Sequence, residues 1–278
     1  VSDGPPPVAD YTYNGRNQLA TTSVENGLFT RTRGYDTGGR LTAISQHTGG
    51  TVHDVTSYTL DTASQRTGIT RNGGTAETYS YDAARQVTGS TINSQTSSYA
   101  YDPAGNRSSA ITNGVTTNYT ANLVNEYTLI GTGQPLYDPN GNLTANGTGS
   151  AFTWDINNRL VAASKLNGDS GSYGYDPIGR RVKRIATIGT TTTATFYLHN
   201  GWNVELEHDG SQYTKRRSWG LDLSGSLQGA GGVGGLVMTE ILDSSGNATA
   251  NYYPAYAGNG NTTPLSDHPA TGGATWRS

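Results

Sequence analysis

The chain has 278 residues, with 18 Lys and Arg against 21 Asp and Glu for a net charge of −3. Only 14% of its residues are charged, against about 25% in an ordinary soluble domain; Thr, Ser, Asn, 38 Gly and 18 Tyr take their place. The absence of cysteine excludes a disulfide framework, a Cys-ligated zinc site and thiol catalysis, the charge balance disfavours a nucleic-acid partner, and no apolar run approaches the ~20 residues of a membrane-spanning helix.

Residues 1–10 form an extended lead-in, stiffened by Pro5, Pro6 and Pro7 in a polyproline conformation. The start lacks Met and the charged and apolar regions of a signal peptide, so it reads as a processed product or an excised fragment. From residue 11 onward the composition favours strands joined by tight turns. Thr and Tyr suit a pleated, half-buried surface, and Gly and Asn tolerate the positive φ that turns require.

A motif then keeps returning: an aromatic residue, Asp, two variable residues, Gly, Arg or Asn, and an apolar residue. Clear copies start at Tyr35-Asp36, with Gly39 and Arg40, at Tyr81-Asp82, and at Tyr101-Asp102, with Gly105. Three more start at Tyr137-Asp138, with Gly141, at Trp154-Asp155, with Arg159, and at Tyr175-Asp176, with Gly179 and Arg180. Degenerate copies start at Tyr13 and Leu60. The leaders recur at intervals of 17 to 25 residues, except for a gap of 36 between Tyr101 and Tyr137. That gap either hides an eroded unit near Tyr119 or carries a longer hairpin. A unit this short cannot bury its apolar face alone, so neighbours must stack into one continuous sheet.

Between the motifs, Asn-Gly at 72–73, 113–114 and 167–168 predicts type I′ hairpins, in which both central positions need positive φ. Each unit is then strand, turn, strand. Within the motif, Tyr closes a strand and turns its ring into the core. Asp accepts backbone N–H bonds of the following turn, Gly supplies the left-handed conformation, and Arg pairs with a neighbouring Asp. The basic runs Arg180–Arg184 and Lys215–Arg217 lie in predicted strands, where alternation splits them between faces and makes them solvated surface.

Some residues look like chemistry. Asp-Pro-x-Gly at 102–105, 138–141 and 176–179 sits inside the repeating unit, where Pro fits a turn position with φ near −65°. Gly229–Gly234 satisfies G-x-G-x-x-G, yet the strand-like Leu236–Leu242 follows it where a dinucleotide fold needs a helix, so it reads as a mobile loop or a tightly packed turn. His47 and His53 flank the Gly49-Gly50 turn; meeting across the hairpin they are a candidate metal or acid–base pair, otherwise they face solvent. His199, Glu205, Glu207 and His208 are the candidate catalytic constellation, with Glu205 and Glu207 on one strand face. Glycoside chemistry needs such carboxylates in a cleft, ~5–10 Å apart. Exposed Tyr and Trp rings are a further lead, since they can stack on sugars. No cofactor is expected.

The recurring motif resembles the YD repeats of the RHS family of bacteria, found also in the C components of insecticidal toxin complexes and in animal teneurins. The resemblance covers residues 11 to about 182 and continues through Trp202, the segment from Arg217 to Gly229, and Tyr253 to Asn261, which are similar to the RHS-associated core. It implies an all-β, YD-repeat hairpin array that spirals into a partial shell, open barrel-like coil or solenoid. In the domain division it implies, residues 11–195 are the array and 196–278 a core-like segment continuous with it. Family shells enclose a C-terminal toxin or effector. The self-cleavage of family cores is carried over to no residue, because Pro264 to Ser278 contains no matching stretch. The expected function is structural: an encapsulating or self-assembling extracellular protein, secreted or on a bacterial-type cell surface. Its expected partners are further RHS-type sequence or copies of itself, an enclosed effector, or a surface polysaccharide. The alternatives are a cell-surface adhesion or glycan-binding module, and a polysaccharide-acting or self-processing enzyme built on residues 199–208.

Overall fold

A computed structural model of the chain describes residues 9–256, 262–269 and 275–277. Residues 1–8 of the Pro-rich lead-in and 257–261 of the core-like segment lie outside the described residues. The described chain is all strand and turn, without a helix, so no helix among these residues is long and apolar enough to cross a membrane.

The first sheet contains β1 (Ala9–Tyr13), β2 (Leu19–Val24), β3 (Phe29–Tyr35), β4 (Leu41–Thr48), β5 (Thr51–Leu60) and β6 (Arg66–Arg71). It continues with β7 (Glu77–Tyr81), β8 (Val87–Ile92), β9 (Gln95–Tyr101), β10 (Arg107–Thr112), β11 (Val115–Ala121) and β12 (Tyr127–Ile130). The second sheet contains β13 (Leu136–Tyr137), β14 (Leu143–Ala145), β15 (Ser150–Trp154), β16 (Leu160–Lys165), β17 (Ser170–Tyr175), β18 (Arg181–Ile188) and β19 (Thr191–Asn200). It ends with β20 (Asn203–His208), β21 (Tyr213–Trp219), β22 (Leu236–Leu242), β23 (Ala248–Tyr256), β24 (Thr262–Pro269) and β25 (Thr275–Arg277). In both sheets strand order follows chain order, a simple antiparallel meander that does not close on itself. At each motif leader the pairing slips by one residue: Tyr35 faces Leu41 while Gly34 faces Ala43, and Trp154 faces Leu160 while Thr153 faces Ala162. These bulges add twist to the strip wherever a motif occurs.

The chain divides into two units, residues up to 75 together with 196 onward, and residues 76–195. In the first unit Val24 and Phe29, from β2 and β3, pack with Met238 and Tyr253, from β22 and β23. The Phe29 and Tyr253 rings stack with centroids 5.7 Å apart. The second unit has no such cluster; among its described hydrophobic residues only Ala110 and Ala186 are buried. Along Gln95–Tyr101, half-buried Ser97, Tyr99 and Tyr101 alternate with exposed Ser98 and Ala100. A strip with this pattern holds together through its backbone ladder and cross-strand pairs rather than through a two-layer core.

Candidate functional site

The repeat turn has one geometry throughout. Eleven times among the described residues with Asp or Asn at position i, at Asn14, Asp36, Asp61, Asp82, Asp102, Asn122, Asp138, Asp155, Asp176, Asp222 and Asp243, the backbone N–H of residue i donates to the carbonyl of i+4 and that of i+3 donates back to the carbonyl of i. In every case residue i+3 is left-handed, whether it is Gly (Gly39, Gly105, Gly141, Gly179) or not (Asn17, Ser64, Arg85, Asn125, Asn158). Asp Oδ1 caps the loop by accepting from the amide of i+4, at 2.8 Å from Arg40, Asn106 and Gln65 and 2.9 Å from Arg180. The backbone N–H and then the guanidinium of Arg40 hold the Asp36 carboxyl below its usual value. At Asp176, burial works against the same effect, and the bonds from Arg180 outweigh it.

Side chains at i+4 link successive turns. Arg40 Nε donates to its own Asp36 Oδ2 at 2.7 Å, while its Nη1 donates to the Asp61 carbonyl of the next turn, also at 2.7 Å. Arg159 spans Asp155 and the Asp176 carbonyl in the same way, at 2.8 and 3.0 Å. Where Asn stands in place of Arg, Asn106 reaches Asn125 Oδ1 at 2.9 Å and Asn142 reaches Asn158 Oδ1 at 2.8 Å. The leaders face backward. Tyr35, Tyr101 and Tyr175 donate their hydroxyls to the Leu19, Val87 and Leu160 carbonyls at 2.7–2.9 Å, and Trp154 Nε1 donates to the Leu143 carbonyl at 2.8 Å. These rings are therefore half-buried rather than sunk into a core. A hydroxyl or indole N–H that must reach a carbonyl at the end of a strand keeps one side of the ring near solvent. Guanidiniums cover the rings: Arg159 lies 5.2 Å from the Tyr175 centroid, and Arg107 sits 4.6 Å from Tyr99 and 5.7 Å from Tyr119.

The hairpins at the other ends of the strands are latched too. Asn72 and Asn113 donate their amides to the Val55 and Thr96 carbonyls at 2.8 and 3.0 Å, and their Oδ1 atoms accept the amides of the same two residues at 2.7 and 3.1 Å. Asn72-Gly73 and Asn113-Gly114 have both residues left-handed, as in a type I′ turn, whereas at 167–168 only Gly168 is. There the Gly168 amide closes on the Lys165 carbonyl, so the extra residue Leu166 converts the hairpin to a longer one.

The long gap between Tyr101 and Tyr137 holds an eroded unit. Asn122 replaces Asp and Asn125 replaces Gly, with Asn122 Oδ1 accepting the Val124 and Glu126 amides at 3.0 and 2.9 Å. Two further turns, at Asp222 and Asp243, carry no aromatic-Asp leader in the sequence. The second was findable, since Asp243-Ser244-Ser245-Gly246-Asn247 keeps Asp, Gly and Asn and lacks only an aromatic leader. Asp222 anchors the 220–235 loop. Its Oδ1 accepts from the Ser224 amide at 2.9 Å and hydroxyl at 2.5 Å, and its Oδ2 from the Ala230 and Gly232 amides at 2.6 and 3.2 Å. The glycine-rich stretch is thus a tightly packed turn leading into β22.

Register places His47 opposite Val52 and Gln46 opposite Asp54, leaving His53 as the extra residue of a bulge. His47 Nε2 lies 3.0 Å from Ser45 Oγ. No group of three or more His, Asp or Glu suited to a metal occurs among the described residues. His199 pairs with Val204 and His208 with Phe196, which separates the two imidazoles along β19–β20. The His208 ring packs edge-on to Tyr213 at 5.1 Å and its Nδ1 accepts the Gly210 amide. Glu205 is exposed and accepts from Asn200 Nδ2 at 2.7 Å. Glu207 binds Arg217 at 2.5 Å and Lys215 at 3.1 Å. Burial would raise its pKa, but those two cations outweigh burial and lower it. The basic run on β21 is consequently matched rather than merely solvated, since Arg216 forks onto Glu240 at 2.5 and 2.7 Å.

Comparisons with known proteins follow the same lines. The family model described as "Teneurin YD-shell" matches residues 62–203, half of the chain. The tRNA3(Ser)-specific nuclease WapA of Bacillus spizizenii is 32% identical over 61% of this chain, and the tRNA nuclease WapA of Bacillus subtilis 33% identical over 44%. This chain spans only 8% and 5% of those relatives. Among solved structures, the Photorhabdus luminescens Tc holotoxin pore aligns with a TM-score of 0.71 at 16% identity, covering 94% of this chain and 15% of that one. The TcdB2-TccC3-Cdc42 complex aligns at 0.72, again at 16% identity, with the same coverages. These structural likenesses establish the fold.

Proposed function

Since the chain belongs to the teneurin YD-shell family, with the RHS-type repeat written along it, we propose that it serves as a length of shell wall, an encapsulating strip that encloses a polypeptide and performs no chemistry of its own. The observation that carries this reading is the linkage at both ends of the strands. Turn reaches turn through Arg40, Asn106, Asn142 and Arg159, and hairpin reaches neighbouring strand through Asn72 and Asn113. A strip so linked can be extended by adding units, and among the described residues the outermost strands of each sheet offer an edge to further RHS-type sequence or to another copy. The division into a repeat array over 11–195 and a continuous core-like segment over 196–278 belongs to this reading, as does a secreted or cell-surface location. The nuclease activity named for WapA belongs to proteins of which this chain matches less than a tenth. Negative-stain microscopy and sedimentation of the purified 29.3 kDa chain test the proposal. Rings, hollow particles or filaments are expected; a monodisperse monomer at every concentration overturns it.

A second reading, glycan binding at a cell surface, draws on exposed rings. Tyr13 is 50% exposed, Trp202 57% and Tyr213 43%, enough for a sugar face to stack on them. Binding to a panel of bacterial surface polysaccharides that disappears in Trp202→Ala supports it, and binding to none removes it.

A further inference from the structure

We propose that the first unit carries a binding site for an organic carboxylate on an apolar body, in the cleft between strands β1–β4 and the 220–235 loop, with Arg31 and Arg33 as the anion-recognising pair. The cleft has a volume of about 360 Å3, at the lower end of the range for small-molecule sites. Leu19, Leu41, Ile44, Leu221 and Leu223 give it apolar walls, and the rings of Tyr13, Tyr35 and Tyr256 complete it. Arg31 and Arg33 stand two residues apart on β3, so both guanidiniums come from one face, and both line the cleft.

What distinguishes these two arginines is that their charges are unmatched. Arg31 is 6% exposed. Its Nε donates to Gln46 Oε1 at 3.2 Å and its Nη2 to the Pro254 carbonyl at 2.7 Å, both neutral acceptors. Arg33 Nη1 donates to Thr22 Oγ1 at 3.1 Å. Neither reaches a carboxylate among the described residues, whereas Lys215, Arg216 and Arg217 all do. Burial, followed by the charge of Arg33, lowers the Arg31 pKa to about 9, and burial lowers that of Arg33. The Tyr256 ring, 4.8 Å from the Arg31 guanidinium, softens this only partly. Asp222 also lines the cleft, but its two oxygens are engaged by the donors of its own loop. One buried and one half-buried guanidinium beside apolar walls favour a carboxylate that brings its own apolar group. The carboxylate gains charge-assisted, fork-shaped bonds and the apolar group fills the cleft.

The full chain, titrated by calorimetry with N-acetyl-Leu-Phe, its C-terminal amide and 3-phenylpropanoate, tests the site. The two acids are expected to bind at ~1 mM or tighter, and loss of a charged hydrogen bond predicts at least about tenfold weaker binding of the amide. Arg33→Gln should weaken the acids by a similar factor and leave the amide unchanged. Tighter binding of the dipeptide identifies a peptide end as the ligand class, and tighter binding of 3-phenylpropanoate a free aryl acid; either supports the site. Equal affinity for acid and amide, no binding of either acid up to ~10 mM, or full affinity in a folded Arg33→Gln variant overturns it.

Discussion

Position i+3 of the repeat turn must be left-handed, and the chain meets that demand unevenly. Gly179 has φ +89° with nothing near a would-be Cβ, so Gly179→Ala adds only backbone strain and is expected to destabilise by about 1–2 kcal/mol in thermal or denaturant unfolding. Arg85 occupies the same position at φ 65° and is exposed. Arg85→Gly is therefore expected to change stability with the opposite sign, by up to about 1 kcal/mol, because the strain relieved exceeds the extra chain entropy of Gly. At position i the carboxylate sets a pH dependence. The Asp36 carboxyl titrates below its ordinary value of 3.8 when folded. Its stabilisation is thus present above that ordinary value and disappears as the pH falls through the lowered folded value. Asp102, Asp138, Asp155, Asp176 and Asp243 are lowered alike, so the melting temperature should fall steeply below about pH 4. Asp36→Asn should flatten that acid limb relative to the parent chain, and an unchanged limb would mean that this carboxylate does not contribute.

Turn, leader and link act together at the scale of the element, where removing one bond loosens the join between two units. Trp154→Phe keeps an aromatic ring at the leader position and removes the indole N–H that reaches the Leu143 carbonyl, together with a small part of the ring's contact area. Leaving that half-buried carbonyl to solvent should cost about 1 kcal/mol, read as a lower unfolding midpoint with the m-value unchanged. How much of this was legible in sequence depended on which residues enforce the geometry. Tyr-Asp and Gly at fixed spacing announce the turn at Asp102 or Asp138, since the required φ and the capping carboxylate restrict the side chains allowed. At Asn122 the backbone bonds persist with Asn capping and Asn left-handed, and the signature fades because two amides do the work of Asp and Gly. Register is harder still: His47 and His53 flank Gly49-Gly50, yet the two-residue turn pairs His47 with Val52 and the bulge that follows makes His53 the extra residue. The His199–His208 group fails for a similar reason, because nearness in sequence along a hairpin is not convergence of side chains, and Glu207 is occupied by cations from β21.

Across the whole chain the two units are stabilised by different means. In the first, chain segments more than two hundred residues apart are tied together: Tyr253 donates its hydroxyl to Glu25 at 2.6 Å, Tyr11 accepts the Leu221 amide at 2.9 Å, and Arg31 holds the Pro254 carbonyl. Burial, then the bond and charge of Glu25, raise the Tyr253 pKa, so this hydroxyl stays protonated wherever the fold persists. Those contacts close a long loop, and they are worth making only because Val24, Phe29, Met238 and Tyr253 bury apolar surface at the same place. In the second unit the turn and hairpin links described above run to neighbouring repeats, so its stability should rise and fall locally, as in other linear arrays. Native-state hydrogen exchange can separate the two regimes. Amides of β3 and β22 are expected to exchange last and together, while those of β9–β11 exchange earlier and repeat by repeat. Phe29→Ala, costing about 3–5 kcal/mol, should then abolish the slow class in β3 and β22 alike and leave β9–β11 nearly unchanged. Uniform loss of protection along the chain would instead mean that the array and the long-range core unfold as one cooperative body.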